Sequence, residues 1–174
     1  MKNMNVRPTS EKVIQGMFNI MGSSVWGAAF LDLFAGTGRV SKEALRRGAE
    51  RVCLVENHKF ALRKLREDLH TQRNLNVDII GMDVRRALQK LAKEGEVFDI
   101  IFADPPYGKG WPKLLVGELA FLLSKLLKSE GVLVLEHSCR EDIPPSNQYL
   151  ALASTRQYGE TCISFYRKNG VMGQ

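Results

Sequence analysis

The chain has 174 residues, 44% apolar and 25% charged, with 15 glycines and 6 prolines, an ordinary composition that excludes collagenous, low-complexity and disordered classes. A chain this long buries roughly 70% of its unfolded surface without help from disulfides or a structural metal. Cys53, Cys139 and Cys162 are odd in number, far apart and without a C-x-x-C pair, so free thiols in a reducing cytosol are expected rather than a disulfide framework or a zinc site. The formal charge of +6 is uneven: Thr37 to Lys93 hold 14 Lys and Arg against 7 Asp and Glu, and the remainder 11 against 12. Such asymmetry fits a polyanionic partner such as nucleic acid, although Arg46, Arg47, Arg63, Lys64 and Arg66 can equally serve to solvate helix faces. No apolar run approaches the roughly 18 residues of a membrane span, and Met1 to Gln15 lacks the apolar stretch of a secretory signal, so a cytoplasmic protein is expected.

In chain order, Thr9 or Ser10 can cap a helix over Glu11 to Met21, with Val13, Ile14, Met17, Phe18 and Met21 on one stripe. From Phe30 onward, short apolar runs read as strands: FLDLF, RVCLVE, VDIIG, FDIIFA and GVLVLE. Between them, Val40 to Arg47, Lys59 to Gln72, Val84 to Lys93 and Pro112 to Leu127 carry the three- and four-residue spacing of amphipathic helices. This alternation predicts an α/β fold, a mostly parallel sheet with helices on both faces. Tyr149 to Arg156 and Thr161 to Arg167 then form a closing antiparallel hairpin around Gly159. One domain over 1–174 is expected, with an N-terminal helix region 1–28, a parallel core 29–140 and the hairpin 147–168.

Open parallel sheets bind ligands at the carboxyl ends of their strands. The first expected strand runs into Asp32-Leu33-Phe34-Ala35-Gly36-Thr37-Gly38, where two glycines permit a sharp turn and close approach of a ligand, or simply let a strand turn into its helix. Ser41 occupies the place of the third glycine of G-x-G-x-x-G, which counts against a nicotinamide site. Glu56, followed by Asn57, ends the second strand where an acid can accept both ribose hydroxyls. Asp83, before Val84, can accept the amino group of adenine, or cap the next helix. Asp104-Pro105-Pro106-Tyr107 follows the fourth strand. Its prolines fix φ and remove two donors, so Asp104 and the Pro105 carbonyl form a stiff acceptor pair for a planar NH₂ group, with Tyr107 as a stacking face. His137 reads as a satisfied, partly buried histidine or as a base contact, and Trp111 as an RNA contact or a lid.

DLFAGTG, VEN, GMD and DPPY in this order resemble the class I S-adenosylmethionine-dependent methyltransferases that act on exocyclic or amide nitrogens. RPTSEKVIQGMFNI, EALRRGA, LEHS and YGETCISFYR narrow the resemblance to the bacterial enzymes that make N2-methylguanine in 16S ribosomal RNA, over Val6 to Arg167. The resemblance implies a Rossmann-like seven-stranded sheet with the last strand antiparallel. It implies S-adenosylmethionine as cofactor and S-adenosylhomocysteine as product, with Asp32, Gly36 and Gly38 at the methionine part, Glu56 at the ribose, Asp83 with Val84 at the adenine, and Phe34 and Asn57 also in the cofactor site, although Asn57-His58 replaces the usual pair ending in Asp. Arg7 and Thr9 would lie near the cofactor carboxylate or the target base. Asp104, Pro105, Pro106 and Tyr107 would hold the target amine, and no metal is required. The implied partner is ribosomal RNA or an assembling small subunit, met by a monomer away from any membrane. Arg39-Val40-Ser41-Lys42 departs from the small, apolar residues usual after the glycines. The family's basic, glycine-containing hairpin before R-P-T has no counterpart in Met1 to Val6, from which weak RNA binding is expected. The rival readings are an enzyme acting on DNA adenine or protein glutamine, a non-catalytic RNA-binding domain, and a nicotinamide oxidoreductase.

Overall fold

The computed structural model describes residues 10–70 and 76–169. Ser10 caps helix α1 (Glu11–Met21), its side chain accepting a hydrogen bond from the Val13 amide, and the five apolar residues of the expected stripe are all buried. Then come β1 (Ala29–Asp32), α2 (Arg39–Arg46), β2 (Arg51–Val55), α3 (Lys59–His70), β3 (Val77–Ile80), α4 (Val84–Lys93) and β4 (Phe98–Ala103). Two short helices, α5 (Trp111–Val116) and α6 (Ala120–Leu126), lead to β5 (Leu127–Ser138), β6 (Leu150–Tyr158) and β7 (Thr161–Lys168). The seven strands form one sheet in the order β3-β2-β1-β4-β5-β7-β6. The first five are parallel, and β7 runs antiparallel to both β5 and β6.

The nearly unbroken apolarity of the strands follows from burial on both faces. Phe30, Leu54, Ile100, Phe102, Val132 and Val134 pack against α1, α2 and α3, while Leu31, Val55, Ile101, Ala103, Leu133 and Leu135 pack against α4, α5 and α6. The period of two along each strand sends alternate side chains into two cores. β1 lies between β2 and β4, so the strand order reverses beside it. The carboxyl ends of β1 and β4 therefore open onto the crevice where such sheets bind ligands.

Three expectations need correction. The helix read over Pro112 to Leu127 is two helices, because the backbone bends at Gly117 (φ −107°, ψ −98°), where a Cβ would stand 2.7 Å from the Lys113 carbonyl oxygen. The fifth strand begins earlier than GVLVLE, at Leu127, with a register shift against β4 between Phe98 and Ile100. Cys139 and Cys162 are joined as a disulfide rather than free. Antiparallel pairing of β5 with β7 sets His137 opposite Cys162, and the Cys139 amide bonds the Glu160 carbonyl. Linear spacing does not report this proximity across strands. Cys53 is the free, buried thiol, its pKa pushed up to about 12 by burial.

Candidate active site

Asp32 ends β1 and is 1% exposed. The Ser41 hydroxyl, on the first turn of α2, donates to Oδ2 at 2.7 Å. Oδ1 has no hydrogen-bond partner. Burial pushes the Asp32 pKa up to about 7, with the Ser41 hydrogen bond and the Phe34 backbone opposing that rise and the neighbouring Asp104 and Glu56 carboxylates adding to it. An orphaned buried acceptor among three carboxyl groups is matched to a cationic donor, and S-adenosylmethionine carries an aminium and a sulfonium. On this observation the residues fit the cofactor that the resemblance implies.

The loop after β1 is shaped by its glycines. Gly36 has φ +54° with open space where a Cβ would lie, and its amide donates to Glu56 Oε2 at 2.8 Å. Gly38, in the left-handed region at φ +74°, caps α2, and a Cβ there would come within 2.6 Å of the Leu65 side chain. Glu56, directly after β2, also accepts from the His58 amide at 2.7 Å. A carboxylate offers about four acceptor positions, so Glu56 can brace the β1 loop and still receive ribose hydroxyls. Asn57 is exposed beside it.

Asp83 follows β3 and caps α4, accepting from the Arg85 amide at 2.9 Å, while Val84 is buried. The capping role left open by the sequence is thus present, and Oδ2 lies 3.9 Å from the Arg85 guanidinium. That guanidinium sits over the Trp111 ring, 4.5 Å from its centroid, and Phe34 meets Trp111 edge-on at 5.1 Å. Trp111 is half-buried and packed with the α4–α6 core.

Asp104 and buried Pro105 leave the carboxyl end of β4; Pro106 and Tyr107 face outward, Tyr107 being 40% exposed. The register of Ala103 with Leu135 makes Asp104 and Glu136 neighbours across β4 and β5. The Tyr107 hydroxyl lies 3.4 Å from both Glu136 Oε1, to which it donates, and Thr161 Oγ1. Burial raises the Tyr107 pKa, and the Glu136 and Asp104 charges add to the rise, so the phenol stays protonated. His137 is buried with both ring nitrogens engaged, Nδ1 with the Ser138 carbonyl at 2.8 Å and Nε2 with the Ser164 hydroxyl at 2.9 Å. Burial lowers its pKa. It is the satisfied core histidine of the two readings.

Four strand ends carry these residues: Asp32, Phe34, Gly36 and Gly38 at or after β1, Glu56 after β2, Asp83 after β3 and the Asp104–Tyr107 loop after β4, and the Asp32, Glu56 and Asp104 carboxyls are close enough to interact. Arg7 and Thr9 lie outside the described residues. Sequence reasoning passed over Ser41, noted only for not being glycine, and over Glu136 and Thr161 around Tyr107. Ser41 had a signal: it is a polar residue on the buried side of α2, where an unpaired hydroxyl is costly.

Residues 1–167 match the family described as Conserved hypothetical protein 95. The chain is 32% identical over 167 residues to YlbH of Bacillus subtilis (strain 168), covering 95% of this chain and 90% of that protein. It is 27% identical over 165 residues to "Ribosomal RNA small subunit methyltransferase D" of Escherichia coli (strain K12), covering 94% and 80%. Among solved structures, yhhF from Escherichia coli is similar with a TM-score of 0.76 at 27% identity, covering 94% of this chain and 88% of that one. The fold is also shared with SMU.776, solved in complex with S-adenosylhomocysteine, at a TM-score of 0.70 and 16% identity over 86% of this chain and 47% of that one. A class I sheet and a family match over almost the whole length agree: this chain belongs to the Conserved hypothetical protein 95 family of S-adenosylmethionine-dependent ribosomal RNA methyltransferases.

Proposed function

We propose that the protein methylates the exocyclic N2 of a guanine in small-subunit ribosomal RNA. The observation that carries this reading is the placement of the Asp104-Pro105-Pro106-Tyr107 loop at the end of β4, beside the end of β1 that bears Asp32. The acceptor pair for a planar amine then adjoins the cofactor crevice. The small-subunit methyltransferase D of Escherichia coli, similar over 94% of this chain, supports RNA as the substrate class.

When bound, S-adenosylmethionine supplies an electrophilic methyl group and leaves as S-adenosylhomocysteine. Asp32 and Glu56 would hold it through the aminium and the ribose, with Gly36 and Gly38 allowing the backbone to approach, Phe34 and Asn57 beside it, and Asp83 and Val84 at the adenine. The guanine N2 is a poor nucleophile because its lone pair is delocalised into the ring. Asp104 and the Pro105 carbonyl would accept both its hydrogens, favouring a pyramidal nitrogen with a localised pair. Positive charge develops on that nitrogen during transfer, so fixed acceptors stabilise the transition state more than the ground state. Asp104 then takes the proton, directly or through water. A base in folded RNA must leave its stack, and the exposed ring of Tyr107 offers a replacement surface.

Tritiated-methyl transfer to small-subunit RNA, followed by nucleoside analysis, tests the reading. N2-methylguanosine is the expected product; label in adenine, DNA or protein would reassign the acceptor, and no transfer would leave a binding domain. Asp104→Ala should lower kcat a hundred- to a thousandfold, the loss of about 3–4 kcal/mol of transition-state stabilisation. Its affinity for S-adenosylhomocysteine should stay within about threefold of wild type.

A further inference from the structure

We propose that Trp111 is a positioning residue for methyl transfer, locking the Asp104–Tyr107 loop to the loops that hold the cofactor. Three residues from three strand ends meet in one stack. Phe34 comes from the loop after β1, Arg85 from the first turn of α4 beyond β3, and Trp111 from the residue that opens α5 after the Asp104–Tyr107 loop. The edge-on contact at 5.1 Å and the guanidinium at 4.5 Å fall within the favourable ranges for aromatic and cation–π pairs. Arg85 is in turn tied to Asp83, which accepts its amide at 2.9 Å.

The segment being fixed needs such a support. Pro106 to Gly110 is exposed, and Gly108 and Gly110 both have positive φ, at 68° and 70°, with nothing near the position of a Cβ. The loop carrying the acceptor pair is therefore held at its far end by Trp111, and Trp111 contacts Phe34, on the loop after β1, and Arg85, at the start of α4. Transfer requires the target nitrogen and the donor carbon in line at about 3–3.5 Å, and a misplacement of about 1 Å costs on the order of a hundredfold. In this role the indole fixes the distance between the loops that hold the reacting partners, through its contacts with Phe34 and Arg85. This role rests on the methyltransferase reading and is independent of which base is methylated.

The chain has two tryptophans, and Trp26 is exposed on the approach to β1, so a Trp26→Phe background leaves Trp111 as the sole indole. Adding S-adenosylhomocysteine, with no acceptor present, should shift its emission saturably. Kinetics are then read on whichever acceptor the wild-type protein methylates, so failure of the guanine assignment leaves this test intact. Trp111→Leu keeps an apolar contact with the α4–α6 core but loses the ring that Phe34 meets edge-on and Arg85 covers. It should lower kcat by 10- to 100-fold with KM for the acceptor and Kd for S-adenosylhomocysteine within threefold, and Trp111→Phe should recover most of the loss. Arg85→Met changes an exposed side chain and should lower kcat by 2- to 5-fold. An unmoved emission spectrum overturns the proposal. So does a Trp111→Leu enzyme with kcat within twofold of wild type, or one whose kcat, cofactor affinity and melting temperature fall together without rescue by Phe. If Trp111→Leu does not fold, Arg85→Met decides, and an unchanged kcat refutes the coupling.

Discussion

Burial of the Asp32 carboxyl at the end of β1 weakens the fold and serves the site. Its pKa rises from 3.8 to about 7, chiefly through burial, so between those values the folded chain holds a proton that the unfolded chain has released. Stability is therefore lost as pH rises from about 4 to 7 and stays low above that. At about 1.4 kcal/mol per unit the effect reaches roughly 4 kcal/mol as an upper bound. Asp32→Asn should unfold at nearly the wild-type denaturant midpoint at pH 4 and at a clearly higher one at pH 8, while binding S-adenosylmethionine more weakly. A cation set against Oδ1 favours the ionised carboxylate, so wild-type affinity for the cofactor should rise between pH 5.5 and 7. Equal midpoints at pH 8, measured by urea titration, would show that Asp32 is not the source of the penalty. Ser41 limits this cost by supplying a hydrogen bond at 2.7 Å, a use for the residue that the broken glycine motif conceals.

At the scale of helices, the basic excess between Thr37 and Lys93 divides into two populations. Arg39 pairs with Glu11, Lys42 with Asp68, Arg46 and Arg47 with Glu43, Arg51 with Asp78 and Glu96, Arg63 with Glu67, Arg85 with Asp83, and Lys90 with Glu94. Lys59, Lys64 and Arg66 on α3, and Arg86 and Lys93 on α4, are exposed and make no ion pair among the described residues. Those helices flank β3 at one edge of the sheet. Part of the net charge is thus spent within the fold, and the remainder is displayed on α3 and α4. Counterion release gives a log–log salt slope of about −0.7 to −0.9 per neutralised phosphate. Replacing Lys59, Lys64 and Arg66 together with Gln should reduce the slope for a small-subunit RNA fragment by about 2 and leave cofactor affinity unchanged. An unaltered slope would move the RNA surface elsewhere on the molecule.

Over the whole molecule, the antiparallel end of the sheet is closed by the Cys139–Cys162 bond, 23 residues apart in sequence. Closing a loop of that length restricts the unfolded chain by about 3 kcal/mol in the chain-entropy account. For a domain of this size each kcal/mol moves Tm by about 2–4 °C. Calorimetry should therefore show Tm falling by roughly 5–10 °C on adding a dithiol, with Cys139→Ser matching the reduced protein. A Tm indifferent to reductant would mean that the two thiols are not joined in solution. The bond lies one residue from Thr161, whose hydroxyl faces Tyr107, so the same closure steadies one wall of the Tyr107 site.

Local chemistry made most of the architecture legible. Strand burial on two faces writes continuous apolar runs, helix burial on one face writes a three-to-four spacing, and Gly159 at φ +64° marks the hairpin. The acids at strand ends and the stiff Asp-Pro-Pro-Tyr segment were legible for the same reason, because strand ends in such sheets face the crevice. Tertiary structure alone decided the strand order, the break at Gly117, the Cys139–Cys162 pair, and the neighbours of Asp32, Tyr107 and Trp111. Each of these depends on contacts between segments distant in the chain. The Arg85–Trp111–Phe34 stack, the Ser41–Asp32 bond and the balance between paired and displayed cations exist only once several strand ends and helices have been brought together, and no periodicity along one segment encodes them.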